Sequence, residues 1–292
     1  MRLASLRSVQ LSNTCWAFAK IGNRADALFE GVAGQYELII GNGNLQYWSN
    51  TCWAFATVGF NADMLFKCVA AEHLRLVRDG TAQQVVNIMW SFAILGYLNK
   101  GRNLVEILWK RVCDGRLVFN NEQLQQLAWF YVAAQIEVGE GFDFEPPPEF
   151  LLGLIKEAAA REDDDDDDDD VDDEQQPREH QEVSDTLTEL GIDHEMEVSS
   201  FVDGDVNNML NIDIGFSNFN GYNKFAIEFN GPSEYVRRNG LEEVENGRTK
   251  LKRRLLGRLG FTVVGINWDE WRRAREGGTQ EEYLLNLIME SM

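Results

Sequence analysis

The sequence has no apolar run of about 18 residues, the length a helix needs to cross the hydrocarbon of a bilayer, so no transmembrane helix and no membrane partner are expected. Histidine is scarce. His73, His180 and His194 are scattered along 292 residues, which argues against a histidine-based metal site. Cysteine is scarce too. Cys15, Cys52, Cys68 and Cys113 form no CxxC pair and all lie in apolar helical contexts, which fits buried thiols in a reducing compartment better than disulfides or zinc ligands. Positive charge is in deficit, with 27 basic against 48 acidic residues and a net charge of −21. At face value that counts against a nucleic-acid binder.

The location of the charge changes its meaning. Residues 1–161 stand at −1, residues 162–177 hold 12 acidic and no basic side chains, and residues 178–292 stand at −8. The middle stretch includes an unbroken run of aspartate from Asp163 to Asp170. Such a run repels itself and has nothing to bury, so residues 161–178 are expected to be an acidic disordered linker. Its plainest role is a solvated spacer. An acidic segment that competes with RNA for a basic surface is the sharper alternative. The remaining chain, 44% apolar overall, is long enough for two folded parts.

The first part is a repeat. Asn13-Thr14-Cys15-Trp16-Ala17-Phe18-Ala19 recurs 37 residues later as Asn50-Thr51-Cys52-Trp53-Ala54-Phe55-Ala56. The segment beginning at Asn87 with Trp90, another 37 on, and that beginning at Gln126 with Trp129, 39 on, continue the series. A second apolar pattern follows each copy, and Pro146-Pro147-Pro148 suits the start of a last helix over 149–160. A period of this length holding two helices predicts an α-solenoid of about four two-helix repeats over residues 9–160, since one hairpin cannot bury its own apolar face. With the tryptophan as position zero, positions −5, −1, +2, +3 and +6 share a packing face. Glycine at +6 either permits a close approach or ends the helix. The tryptophans flank that face as core. Position −3 holds Asn13, Asn50, Asn87 and Gln126. A carboxamide there could read base edges of single-stranded RNA, or cap a helix, or tie adjacent repeats in a ladder.

Residues 179–292 predict a compact α/β domain in the order α-β-β-β-α-β-α. Its elements are a helix over 183–191 with Ser184 as a possible cap, strands over 196–201, 211–216 and 224–229, a turn at Gly221, a helix over 249–259, a strand over 261–268 and a helix over 280–289. Within the basic helix, Leu251, Leu255 and Leu259 mark the buried side. Lys250, Arg253 and Arg254 lie opposite, while Arg248 and Lys252 sit nearer its edge, and Arg258 follows. The stripe can meet phosphates or pair with Glu242, Glu243 and Glu245. Trp268 and Trp271 either stack bases or pack the last strand against the last helix.

Four ordered stretches resemble the RAP domain: Ala226-Ile227-Glu228-Phe229-Asn230-Gly231-Pro232, residues 249–256, residues 260–264, and Trp268-Asp269-Glu270-Trp271. The preceding residues 185–192 and 210–214 extend the match, which covers about residues 180–290. The Trp-Ala-Phe-Ala segments and their period resemble octotricopeptide-type and FASTK-like helical repeats. These resemblances imply an organellar RNA-binding protein, of the mitochondrial matrix or the chloroplast, that acts on the stability, processing or translation of RNA. Its partners would be single-stranded organellar RNA and other RNA-processing proteins. The basic, acid-free N-terminus, with Ser5 and Ser8, faintly resembles a transit peptide, yet a helical pattern begins almost at once. The chain could equally begin inside a longer protein.

The RAP domain also resembles the PD-(D/E)xK endonuclease fold. That likeness places Asp213 and Glu228 at the acidic positions and Asn230 where the nuclease pattern has lysine. Such a site would hold Mg²⁺ and needs a nearby cation, for which Lys224 and Lys250 are candidates. No cofactor is expected without that activity, and the two acids are then remnants or satisfy turn amides near Gly231. A protein-interaction scaffold is the third reading of the solenoid.

Overall fold

The computed structural model describes residues 7–42, 44–138, 144–160, 176–198, 209–216 and 224–291. Residues 161–175 of the expected linker, and the expected turn at Gly221, lie outside them. By its contacts the chain divides into two compact units. One joins residues 1–162 to 235–251, and the other joins 163–234 to 252–292. The described chain is mostly helical, with a small α/β region toward its C-terminus.

In chain order the elements begin with α1 (Ser8–Lys20), β1 (Asn23–Arg24), α2 (Asp26–Ala33), α3 (Tyr36–Asn42), α4 (Leu45–Thr57), α5 (Asp63–Ala71) and α6 (His73–Asp79). Next come α7 (Ala82–Ile94), α8 (Arg102–Cys113), α9 (Asn121–Glu137) and α10 (Glu149–Ala160). The α/β region contains α11 (Gln176–Glu189), β2 (Glu195–Val198), β3 (Ile212–Phe216), β4 (Phe225–Asn230), β5 (Tyr235–Arg238) and β6 (Glu242–Glu245). It closes with α12 (Gly247–Arg258), β7 (Thr262–Asn267), α13 (Trp268–Gly277) and α14 (Gln280–Glu290).

In the first unit, α1, α4, α7 and α9 pack on one another in series. Leu11 and Cys15 of α1, and Trp48, Cys52, Phe55 and Ala56 of α4, are completely buried, as their shared helical face requires. Gly22, Gly59 and Gly96, six residues after successive tryptophans, all take left-handed φ values of 61°, 62° and 72°. They end their helices. The Phe60 and Tyr97 amides close back on the Phe55 and Phe92 carbonyls at 2.9 and 2.7 Å, a helix-terminating turn that glycine adopts without strain. Three of these helices are capped nine residues before the tryptophan, by the side chains of Asn44, Thr81 and Asn120. The amides at −3 therefore sit in mid-helix and cap nothing.

The segment 235–251 groups with these helices. β5 pairs in parallel with β1, Asn23 opposite Arg237 and Arg24 opposite Arg238, and antiparallel with β6. Asp26 accepts from Arg24 at 2.9 Å and from Arg238 at 2.6 Å. Gly247 lies so close to the Ala56 carbonyl that a side chain has no room. This hairpin is absent from the sequence expectation, because strands reading Tyr-Val-Arg-Arg and Glu-Glu-Val-Glu carry charge where a half-buried strand usually alternates with apolar residues.

In the second unit the sheet order is β2-β3-β4-β7, with β2, β3 and β4 antiparallel and β4 parallel to β7. All six residues of β4 are buried. Val183, Leu187, Ile214, Phe225, Ile227, Ile266, Trp271 and Leu284 form the core. The expected helix over 183–191 begins earlier, so Ser184 is internal to α11. Its hydroxyl meets His194 Nε2 at 2.6 Å instead of capping. α13 was not expected. It starts because Asn267, the last residue of β7, accepts from the Asp269 and Glu270 amides at 2.9 and 3.1 Å.

Candidate functional site

Two acids and a lysine converge in the second unit. Glu228 lies on β4, the strand flanked on both sides, and is 7% exposed. Asp213 on β3 is oriented by the Phe229 N–H, which donates to its Oδ2 at 2.7 Å. Asn230, two residues beyond Glu228 and so on the same face of β4, is also buried. The cation comes from α12. Lys252 Nζ donates to Glu228 Oε2 in a close ion pair. The other carboxylate oxygen of Glu228, Oε1, is buried and has no hydrogen-bond partner among the described residues. His180 of α11 completes the group. Its Nε2 lies 3.9 Å from Asp213 Oδ2, and its ring meets the Phe229 ring edge-on at 5.3 Å.

Burial pushes the Glu228 carboxyl up to about 7, with Lys252 opposing and the Asp213 charge adding to the rise. Burial also works against the Lys252 charge, but Glu228 and Asp213 outweigh it and hold that pKa above the ordinary lysine value. The site therefore keeps a permanent ammonium beside a carboxyl that exchanges its proton near neutrality. Among the described residues, no group of three or more His, Cys, Asp and Glu side chains is placed to hold a metal ion.

The lysine at the acids is Lys252, and neither Lys224 nor Lys250 fills that place. Lys224 Nζ lies over the Phe261 ring at 5.0 Å. Lys250 Nζ donates to the Gly59 carbonyl at 3.2 Å in the first unit, because the hairpin before it carries the first turn of α12 onto that loop. Burial, reinforced by nearby Arg24, lowers the Lys250 pKa. Lys250 is thus not part of an open solvent stripe. On α12, Leu251, Leu255 and Leu256 are completely buried, whereas Arg253 and Arg258 are exposed and Arg248 and Arg254 half-buried. Trp271 is completely buried and serves as core. Trp268 is half-buried, with Arg272 over its ring at 5.0 Å. His180 carried no signal, since a lone histidine sits in a polar helical stretch. Lys252 carried one. It lies three residues before Leu255 and four before Leu256, on the apolar side of its helix, where a lysine needs a buried partner.

In the first unit the four −3 amides differ in access. Asn13 is exposed and Asn50 half-buried, whereas Asn87 and Gln126 are buried by the helices on either side. Gln46 donates to Asn50 at 2.7 Å and Gln83 to Asn87 at 2.8 Å. Gln84 reaches Gln46 at 3.2 Å and Gln123 reaches Gln83 at 2.8 Å, so a chain of amides links α4, α7 and α9. Among the described residues no helix is long and apolar enough to cross a membrane.

Comparison with curated proteins gives no match. The family model of the RAP domain matches residues 227–287, from β4 through α14, and does not extend to the helical repeats. The α/β region of this chain therefore holds a RAP domain, a module generally associated with RNA binding.

Proposed function

We propose that the protein binds RNA in an organelle, the mitochondrial matrix or alternatively the chloroplast, and acts after transcription on RNA stability, processing or translation. The RAP match at residues 227–287 carries this reading. In it, the helices of the first unit form a solenoid of four repeats that follows single-stranded RNA. The RAP domain contacts the backbone or an end through Arg253, Arg254 and Arg258. The net charge of −21 does not oppose it, because 12 of those charges fall within residues 162–177. The test is crosslinking inside the organelle followed by sequencing of bound RNA. A defined set of enriched transcripts is expected, and recovery at background level refutes the proposal.

A second reading, a metal-dependent endoribonuclease, is favoured by the convergence of Lys252, Glu228 and Asp213. The residues fit Mg²⁺ in donor type, since two carboxylates are present and Glu228 Oε1 is buried without a partner among the described residues. Asp213 and Glu228 would hold the ion, which would polarise a phosphodiester and its attacking water. Lys252 would set the charge of Glu228 and face the phosphate, and Asn230 would offer only a neutral amide. Mg²⁺-dependent cleavage of RNA that is lost in Asp213→Asn supports this reading. Binding without cleavage excludes it.

A further inference from the structure

In a chain this acidic, α1, α4 and α7 contain no acidic residue. One face of this layer is built from the repeat itself. Positions −7, −3, zero and +4 about each tryptophan point the same way. On α1 and α4 that face presents Asn13, Trp16, Lys20, Gln46, Asn50 and Trp53. Trp16 is 41% exposed, whereas Trp90 and Trp129 are 8% and 7% exposed, so the aromatic row opens only at this end. Trp53 stacks on Trp90 with ring centres 6.3 Å apart and planes 25° from parallel. Lys20 Nζ sits 5.9 Å from the Trp16 ring centre and 5.2 Å from that of Trp53. No carboxylate among the described residues pairs with it.

An ammonium held over two indoles with no counter-charge among the described residues, beside an exposed carboxamide, has the chemistry of a site for a base and its phosphate. We propose that this patch is a stacking subsite for single-stranded RNA. The Trp16 indole takes the face of a base, Lys20 takes the adjoining phosphate, and Asn13 meets the base edge with a donor and an acceptor. Ser12 Oγ donates to the Tyr47 carbonyl at 3.0 Å, which ties α1, carrying Trp16, to α4, carrying Trp53. An acidic peptide would satisfy Lys20 but would not use the exposed indole.

This inference rests on the RNA-binding reading, and the experiment separates the two. The full-length chain is titrated with a short mixed-sequence single-stranded RNA carrying 5-iodouridine, followed by anisotropy and by photocrosslinking. Trp16→Ala is expected to weaken binding by about tenfold, and Trp16→Phe to retain most of it. Lys20→Ala should lower the slope of log affinity against log salt by about 1. Crosslinks should map to Trp16 or Trp53. If wild type binds and Arg253→Ala weakens it while the Trp16 and Lys20 variants bind unchanged, the subsite is wrong and RNA binding stands. If wild type does not bind the RNA, both fall. Trp16 is exposed, and its removal leaves buried Leu11 and Cys15 in place. Should Trp16→Ala nonetheless unfold, the salt slope of Lys20→Ala decides.

Discussion

Replacing Glu228 with glutamine isolates the buried carboxyl from everything around it. In the fold this group exchanges its proton near 7, against an ordinary value of 4.5, chiefly because burial disfavours its charge. The folded chain therefore binds that proton more tightly than the unfolded chain. The stability it contributes is complete below 4.5 and drains away as pH rises to 7. A gap of that size corresponds to about 3 kcal/mol in full, of which about 2 kcal/mol is lost between about pH 5.5 and pH 8. Glutamine keeps the shape and has no proton to lose. Lys252 is not stranded by the change, because Asp213 remains near it and a quarter of its side chain, 25%, is in solvent. Urea unfolding of both proteins across that range, followed by circular dichroism, should therefore show a gap that widens by about 2 kcal/mol from the acid to the alkaline end, with Glu228→Gln the more stable. Parallel curves, or a variant less stable throughout, would mean that Glu228 stays charged against Lys252 over the whole range and would refute the reasoning.

Gly247→Ala should destabilise the first unit by roughly 1–3 kcal/mol or release residues 235–251 to proteolysis, since the new methyl overlaps the Ala56 carbonyl and meets Ile94 Cγ2 at 2.6 Å. Alanine at Arg253, Arg254 or Arg258 should each lower the salt slope of RNA binding by about 1, whereas Lys250→Ala should leave that slope nearly unchanged, because its ammonium is engaged on Gly59. Thiol labelling at mildly alkaline pH should modify Cys68 in the folded protein. Cys15, whose pKa burial pushes up to about 12, and Cys52, pushed higher still, should react only on unfolding, and prompt modification of Cys52 would contradict the packing of α4.

The repeat was legible because its tryptophan, cysteine and glycine positions each answer to one local constraint, a buried face or a left-handed turn. The caps at Asn44, Thr81 and Asn120 were within reach of the same reading but were obscured by the more regular amides at −3. Elements carrying mostly charge were not legible. β5, β6 and α13 owe their existence to partners distant in sequence or to a single cap, and their own residues show no apolar period. The acids of the candidate site were placed through a family likeness, Asp213 and Glu228 lying on adjacent strands. Their lysine was missed because strand spacing says nothing about a side chain delivered from a helix 24 residues away.

The pairing of β1 with β5 has a consequence for how the chain is made. Asp26 and Arg238, which close that pairing, are 212 residues apart. Joining ends so distant costs the unfolded chain about 5 kcal/mol of loop entropy, and at ordinary rates of synthesis β1 waits roughly 10 to 40 s for its partner to leave the ribosome. Through that interval the repeat helices exist without their last strand pair and without the glycine that seats on Ala56. The aspartate run lies inside the loop still to be closed, tethering a highly soluble segment to the unfinished unit and opposing its self-association while it waits.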